Sequence, residues 1–292
     1  MAKFQLPDAL KAAVPQNMWG RILAATPVVM TVIATALAGL ASSEMTRAQY
    51  GRSLGAQQQS KAGDQWNFFQ AKRLRSALQK NALDILQGTT DLHPFTAPNL
   101  DPQTLAALTK GELPPMPPAP VLDPSIKTAL VAVENQKPDE ETAKLLMQVK
   151  DKTLAEAVQA AQDRAQAFDK ATSPINQVID QLDKSLTSGE KTISRDFTAA
   201  RLRYTAARYD AEARLNQAIA NLYELQVRRS NTEAERHHRR SQQFFFGMLT
   251  AQAAVIISTF SLAAQKRSLL WSLAAAAGAA AIAFAVYVYL FV

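Results

Sequence analysis

The chain has 292 residues, a net charge of +7 and a pI near 9.6, and it contains no cysteine. The missing thiol excludes disulfides, thiol catalysis and cysteine-ligated zinc or iron–sulfur clusters. Abundant alanine and few aromatics favour helices over sheets, and the basic balance fits nucleic acid, anionic lipid or membrane topology.

Residues 1–18 form a short lead, with Leu6, Leu10 and Val14 four apart on one face and Lys3 and Lys11 beside it. Residues 19–41 follow as the first predicted span. Ile22–Ala41 is an uncharged run of 20 residues, and a membrane helix needs roughly 20. A signal peptide has a shorter apolar core, roughly 7–15 residues, so the run is expected to be an uncleaved span. Trp19 stands at its start as an interfacial aromatic, and Pro27 is expected to kink it.

Residues 42–92 continue as a soluble helix. Trp66, Leu74, Ala77, Leu78 and Ile85 share one broad face, which is the expected buried face. Gly88 is its expected C-cap. Residues 93–137 are a proline-rich linker with short helices: His93–Pro124 holds 9 of the 14 prolines. Asp101-Pro102 starts one such helix and Gly111 ends it. Pro114–Pro120 favours polyproline II and is expected to serve as a stiff spacer or as a ligand for a proline-binding partner.

Residues 138–243 carry coiled-coil-like helices. Pro138-Asp139-Glu140-Glu141 is a helix start, and Leu154, Val158, Ala161, Ala165, Phe168 and Thr172 step by fours and threes. Pro174 is expected to break this helix, because an interior proline costs about 3 kcal/mol. Ile175, Ile179, Leu182 and Leu186 resume the spacing, and Thr187 with Glu190 matches a capping box. The next helix has its seam at Ile193, Phe197, Ala200, Tyr204, Ala207, Ala211, Leu215, Ala218, Leu222 and Leu225. So long a seam needs a partner, either the 138–187 segment folding back or another subunit. Two spans close the chain, 244–264 and 269–292, separated by four residues. They suit a membrane hairpin.

The stretch Asp64–Arg75, the basic run Glu235–Arg240 and the two closing spans resemble a bacterial membrane family called domain of unknown function 4337. The resemblance implies this order of parts and no activity.

No residue pattern points to a reaction. There is no Gly-Lys-Ser/Thr loop and no His-Glu-x-x-His motif. His237 and His238 lie among arginines, which disfavours a metal cation, and a hydrated interfacial cap is expected there. The series Arg195, Arg201, Arg203, Arg208 and Arg214 is interrupted by Asp196, Asp210 and Glu212. It is expected to be a solvated helix face, with no nucleic-acid partner. Catalytic, cofactor and metal residues are therefore not assigned. Arg228, Arg229, Arg236, Arg239 and Arg240 precede a span and are expected to meet anionic headgroups. Phe197, Tyr204, Leu215 and Leu222 in the seam, with Ala277 and Ala281 in the last span, are the candidates for self-association.

The expected fold is all-α, with three transmembrane helices and a helical coiled-coil-like soluble module. The expected function is an integral membrane scaffold or interaction protein that self-associates through that module. The alternative is an oligomeric channel gated by the module. Lysines and arginines near the span ends number eight on the module side and five on the other, which places the module in the cytoplasm of a bacterial inner membrane.

Overall fold

The computed structural model describes residues 18–96, 100–186, 191–263 and 267–291. Among these, all regular structure is helical. The order is α1 (Met18–Thr89), α2 (Pro102–Lys110), α3 (Pro124–Glu134), α4 (Asp139–Gln148), α5 (Asp151–Leu186), α6 (Lys191–Ala263) and α7 (Arg267–Phe291). The lead at Leu6, Leu10 and Val14, the cap at Thr187 and Glu190, and the loop residues Gln265 and Lys266 lie outside the described residues. Two compact units emerge: one of residues 1–53 and 231–292, the other of residues 54–230.

The first unit holds the apolar ends of α1 and α6 together with α7. Ala34, Leu37 and Ala41 of α1 pack with Phe244 and Ala251 of α6 and Ala281 and Val288 of α7. Small residues let these helices approach closely. Gly278 is the clearest case, because a Cβ there would run into the thioether end of Met30. Trp271 Nε1 donates to Thr26 Oγ1 at 3.0 Å, which satisfies an indole that would otherwise face hydrocarbon. α1 continues through Pro27 without a break. Val28, Val32, Phe246, Phe260, Tyr289 and Phe291 turn outward and are more than half exposed. Three helices are long and apolar enough to cross a membrane. Such an apolar exterior would not suit water, so the protein is a membrane protein.

In the second unit α1 and α6 run antiparallel. Gln58 meets Ser230, Lys72 meets Glu212, Ser76 meets Ala206 and Gln79 meets Thr205. The α1 face turned toward α6 is small and polar: Ala62, Lys72 and Ser76 lie on it. On α6, buried Ala199, Ala206, Ala213 and Ala220 recur every seventh residue, the spacing of one helix face. The expected face of α1 is therefore corrected. Leu74, Ala77, Leu78 and Ile85 are exposed, and Trp66 is only half-buried, edge-on to Phe69.

α6 meets α5 along a second seam. Ile175 and Ile179 cluster with Phe197, Ala200 and Tyr204, and Phe168 with Ala211 and Leu215. α5 keeps its four-and-three spacing straight through Pro174, which corrects the expected break. Pro174 and Lys170 are both exposed, so the carbonyl deprived of its helix bond faces water. Burial of Phe168, Thr172, Ile175 and Ile179 on the opposite side outweighs that loss.

The short helices close the ends of this core. Asp101 accepts from the amides of Gln103 and Thr104, and Gly111 ends α2 at φ 69°, in the left-handed region. α3 and α4 pack on each other through Ile126, Ala129 and Leu146. The run from Pro138 onward is not one helix. Val149 turns extended and is buried, separating α4 from α5. The polyproline strap lies on the helices with Pro114 buried and Pro117 and Pro120 half-buried, the three-residue period of that conformation. Arg164 Nε donates to the Pro117 carbonyl at 2.8 Å. The Pro114/Pro117 ridge that a proline-reading groove would contact therefore faces its own chain.

Candidate functional site

The helical module has a charged centre where an apolar one would suffice. The α1 face toward α6 carries Lys72 inward, and Arg208 and Glu212, four apart on α6, come to meet it. Glu212 is buried and takes the Lys72 ammonium, with Arg208 Nε 3.3 Å from its other oxygen. The Tyr209 ring lies under three cations, 4.8 Å from Arg208, 5.2 Å from Lys72 and 5.9 Å from Arg75. The Asp169 carboxyl is pushed above its usual value, first by desolvation and then by Glu212, with Lys72 and Arg208 opposing. Burial pushes the Tyr204 hydroxyl up to about 12, helped by Glu212 and opposed by Arg208. The expected solvated face is thus corrected for Arg208 and Glu212, whose side chains are 16% and 9% exposed. Breaking a buried pair of this kind is strongly unfavourable, because it leaves a charge uncompensated.

In the membrane unit a second polar cluster sits just beyond the apolar run of α1. Glu44 is buried, and its Oε2 lies 2.5 Å from His237 Nδ1 on α6. Arg47 reaches its other oxygen at 3.4 Å. Ser241 donates to the Ala41 carbonyl at 2.7 Å. His237 is therefore a carboxylate partner and not a hydrated cap; three residues beyond Ala41, Glu44 was the signal for it. His238 meets Gln242 through Nε2 at 3.1 Å. Among the described residues no group of three His, Cys, Asp or Glu side chains is placed to hold a metal ion.

Of the five arginines expected at lipid headgroups, Arg229 is engaged by Asp151 with its side chain 13% exposed. Arg228 pairs with Glu224 at 3.0 Å, and Arg239 with Glu235 at 3.2 Å. Arg236 is exposed, and Arg240 is half-buried. Of the self-association candidates, Phe197, Tyr204, Leu215 and Leu222 are all buried within the chain. The segment folding back is their partner. In the last span Ala281 is buried against the other two spans and Ala277 is half-buried.

What α1 leaves uncovered is the opposite of its inward face. Ala71, Leu74, Leu78, Asn81 and Ile85 are all exposed and step by 3, 4, 3 and 4. Leu74, Leu78 and Ile85 are 62%, 56% and 59% exposed. This is an apolar heptad stripe with one amide, and no residue of the described chain covers it. The broad-face reading named three of its members and missed Ala71 and Asn81, which only the strict four-and-three step selects.

No family model, no curated protein and no solved structure matches the chain.

Proposed function

We propose that this protein is a membrane-anchored scaffold that self-associates through its helical module. The observation that supports this most is the uncovered stripe Ala71–Leu74–Leu78–Asn81–Ile85 on α1. A second copy bearing the same stripe is its best-matched occupant. Two such faces pair by knobs-into-holes packing, and a single asparagine within the seam selects register and partner number. Confinement to one membrane raises the effective concentration of the copies, so a seam of a few turns is enough. The resemblance to the domain-of-unknown-function family rests on Asp64–Arg75, Glu235–Arg240 and the closing spans, and brings no activity to this reading. The module is assigned to the cytoplasm on the positive-inside count.

The test is the mass of the full chain in detergent by light scattering. Leu74→Glu with Leu78→Glu should reduce the oligomer to monomer while helicity is kept. An unchanged mass would remove the stripe as the contact. A passive oligomeric pore is the second reading, favoured by a groove of about 440 Å³ in the spans that bears Thr31, Thr35 and Gln252. Ion flux through liposomes containing the reconstituted chain would select it over the scaffold.

A further inference from the structure

We propose that the helical module also carries a binding cleft for a small organic anion, a phosphate or carboxylate group on a flat apolar body. The cleft has a volume of about 510 Å³. Pockets that enclose small molecules run from roughly 300 to 1,000 Å³. Three separate pieces of chain form its walls: α1 at Lys80 and Leu83, the end of α2 with the strap after it, and one face of α6.

Four cations border it: Lys80, Lys110, Arg203 and Arg214. Asp210 is the carboxylate in the lining, and it is already held by Arg214 at 2.7 Å and Arg73 at 3.0 Å. Lys110 has only an exposed contact to Glu112 at 3.7 Å. Lys80 and Arg203 have no carboxylate within ion-pair reach among the described residues. The cleft therefore has surplus positive charge.

Arg203 is also held in place. Its Nη1 donates to the Thr109 carbonyl at 3.0 Å, at the end of α2. Gly111 turns the chain there, and a Cβ on it would press into the Arg203 stem at 2.9 Å. A guanidinium positioned before the ligand arrives loses less freedom on binding. Below the cations the surface is apolar: Leu83, Leu113, Met116 and Ala207. A bare inorganic ion would leave that floor unused, and a neutral apolar molecule would leave the cations unused. An anion joined to a flat apolar group uses both.

The experiment uses the full chain in nanodiscs of zwitterionic lipid, with 1-naphthyl phosphate and 1-naphthoate as probes and 1-naphthol as the neutral control. Ligand-observed magnetic resonance and calorimetry read the binding. At least one anion should bind saturably at one site per chain, roughly tenfold tighter than naphthol, and weaken as salt is added. Lys80→Glu, on an exposed side chain, should weaken it about tenfold through charge alone. Ala207→Phe should abolish it by filling the floor. If neither anion binds saturably, the proposal is overturned. It is equally overturned if Lys80→Glu and Ala207→Phe both bind like the unaltered chain. The oligomer mass is measured beside each titration, so loss of the cleft and loss of self-association are seen separately.

Discussion

The Ser76 hydroxyl donates across the helix pair to the main-chain carbonyl of Ala206, at 2.9 Å. A side chain as short as serine can reach a neighbouring backbone only if the two helices nearly touch. Both residues are 3% exposed, and no room remains for a larger group. Ala206→Leu should therefore overpack the α1–α6 contact and cost about 1–3 kcal/mol. Chemical denaturation of the full chain in detergent, followed by helicity, measures this. A variant of unchanged stability would show that the contact is loose.

Asp169 gives a pH dependence of opposite sign to most carboxylates. Its pKa is raised above 3.8, chiefly by desolvation. Above 3.8 the unfolded chain releases this proton while the folded chain still holds it. Its contribution to stability therefore falls as pH rises through the raised value, and it is unfavourable at neutral pH. Asp169→Asn should raise the melting temperature at pH 7, and the gain should vanish in acid below the unfolded value. Melting curves across that range test it, and a lower melting temperature at pH 7 would contradict it.

Asp101 provides the usual sign within the same module. Its carboxyl is held below 3.8 by the side chain of Thr104 and then by that residue's amide. The stability it contributes is present at neutral pH and is lost as pH falls through the depressed value. Asp101→Ala should cost about 1 kcal/mol at pH 7, as for other N-cap losses. Paired melts at pH 7 and in strong acid should show the deficit only at the higher pH.

Tyr204 is fully buried, with its hydroxyl 3.4 Å from Asn176 Oδ1. Its pKa of about 12 lies above the ordinary 10. Between these values the unfolded chain has lost a proton that the folded chain keeps, so stability declines as pH rises. Of the six tyrosines, this one should titrate near 12 in tyrosinate absorbance, and Tyr204→Phe should delete that component. Loss of a component near the ordinary 10 instead would place Tyr204 in water.

In the spans, Gly278 accommodates Met30. The atoms a Cβ would meet form the flexible end of a methionine, so Gly278→Ala should be mild. Gly278→Leu should lower thermal stability in detergent markedly, and adding Met30→Ala should restore most of it. Failure of the second change to rescue the first would mean the two residues are not in contact.

The three apolar runs could be read from the sequence because bilayer thickness sets a length, and length and composition are local properties. The ends of α2 were legible for a similar reason. Asp101, Pro102 and Gly111 act on backbone within a few residues of themselves. Seams could be recognised as seams, since Phe197, Tyr204 and Leu222 repeat at helical spacing. Which partner they take is not local. The sequence left both a second chain and the 138–187 segment open, and packing chose the segment. Pro174 did not break α5, because burial on the far side of the helix outweighed one lost hydrogen bond. The buried face of α1 was decided in the same way. Leu74, Leu78 and Ile85 are the more apolar set, yet Ala62, Lys72 and Ser76 face inward. The alanines of α6 admit a close, small and polar surface whose charges Glu212 neutralises. Hydrophobicity identifies which residues gain by burial; only the tertiary structure decides which shape and charge are there to meet them.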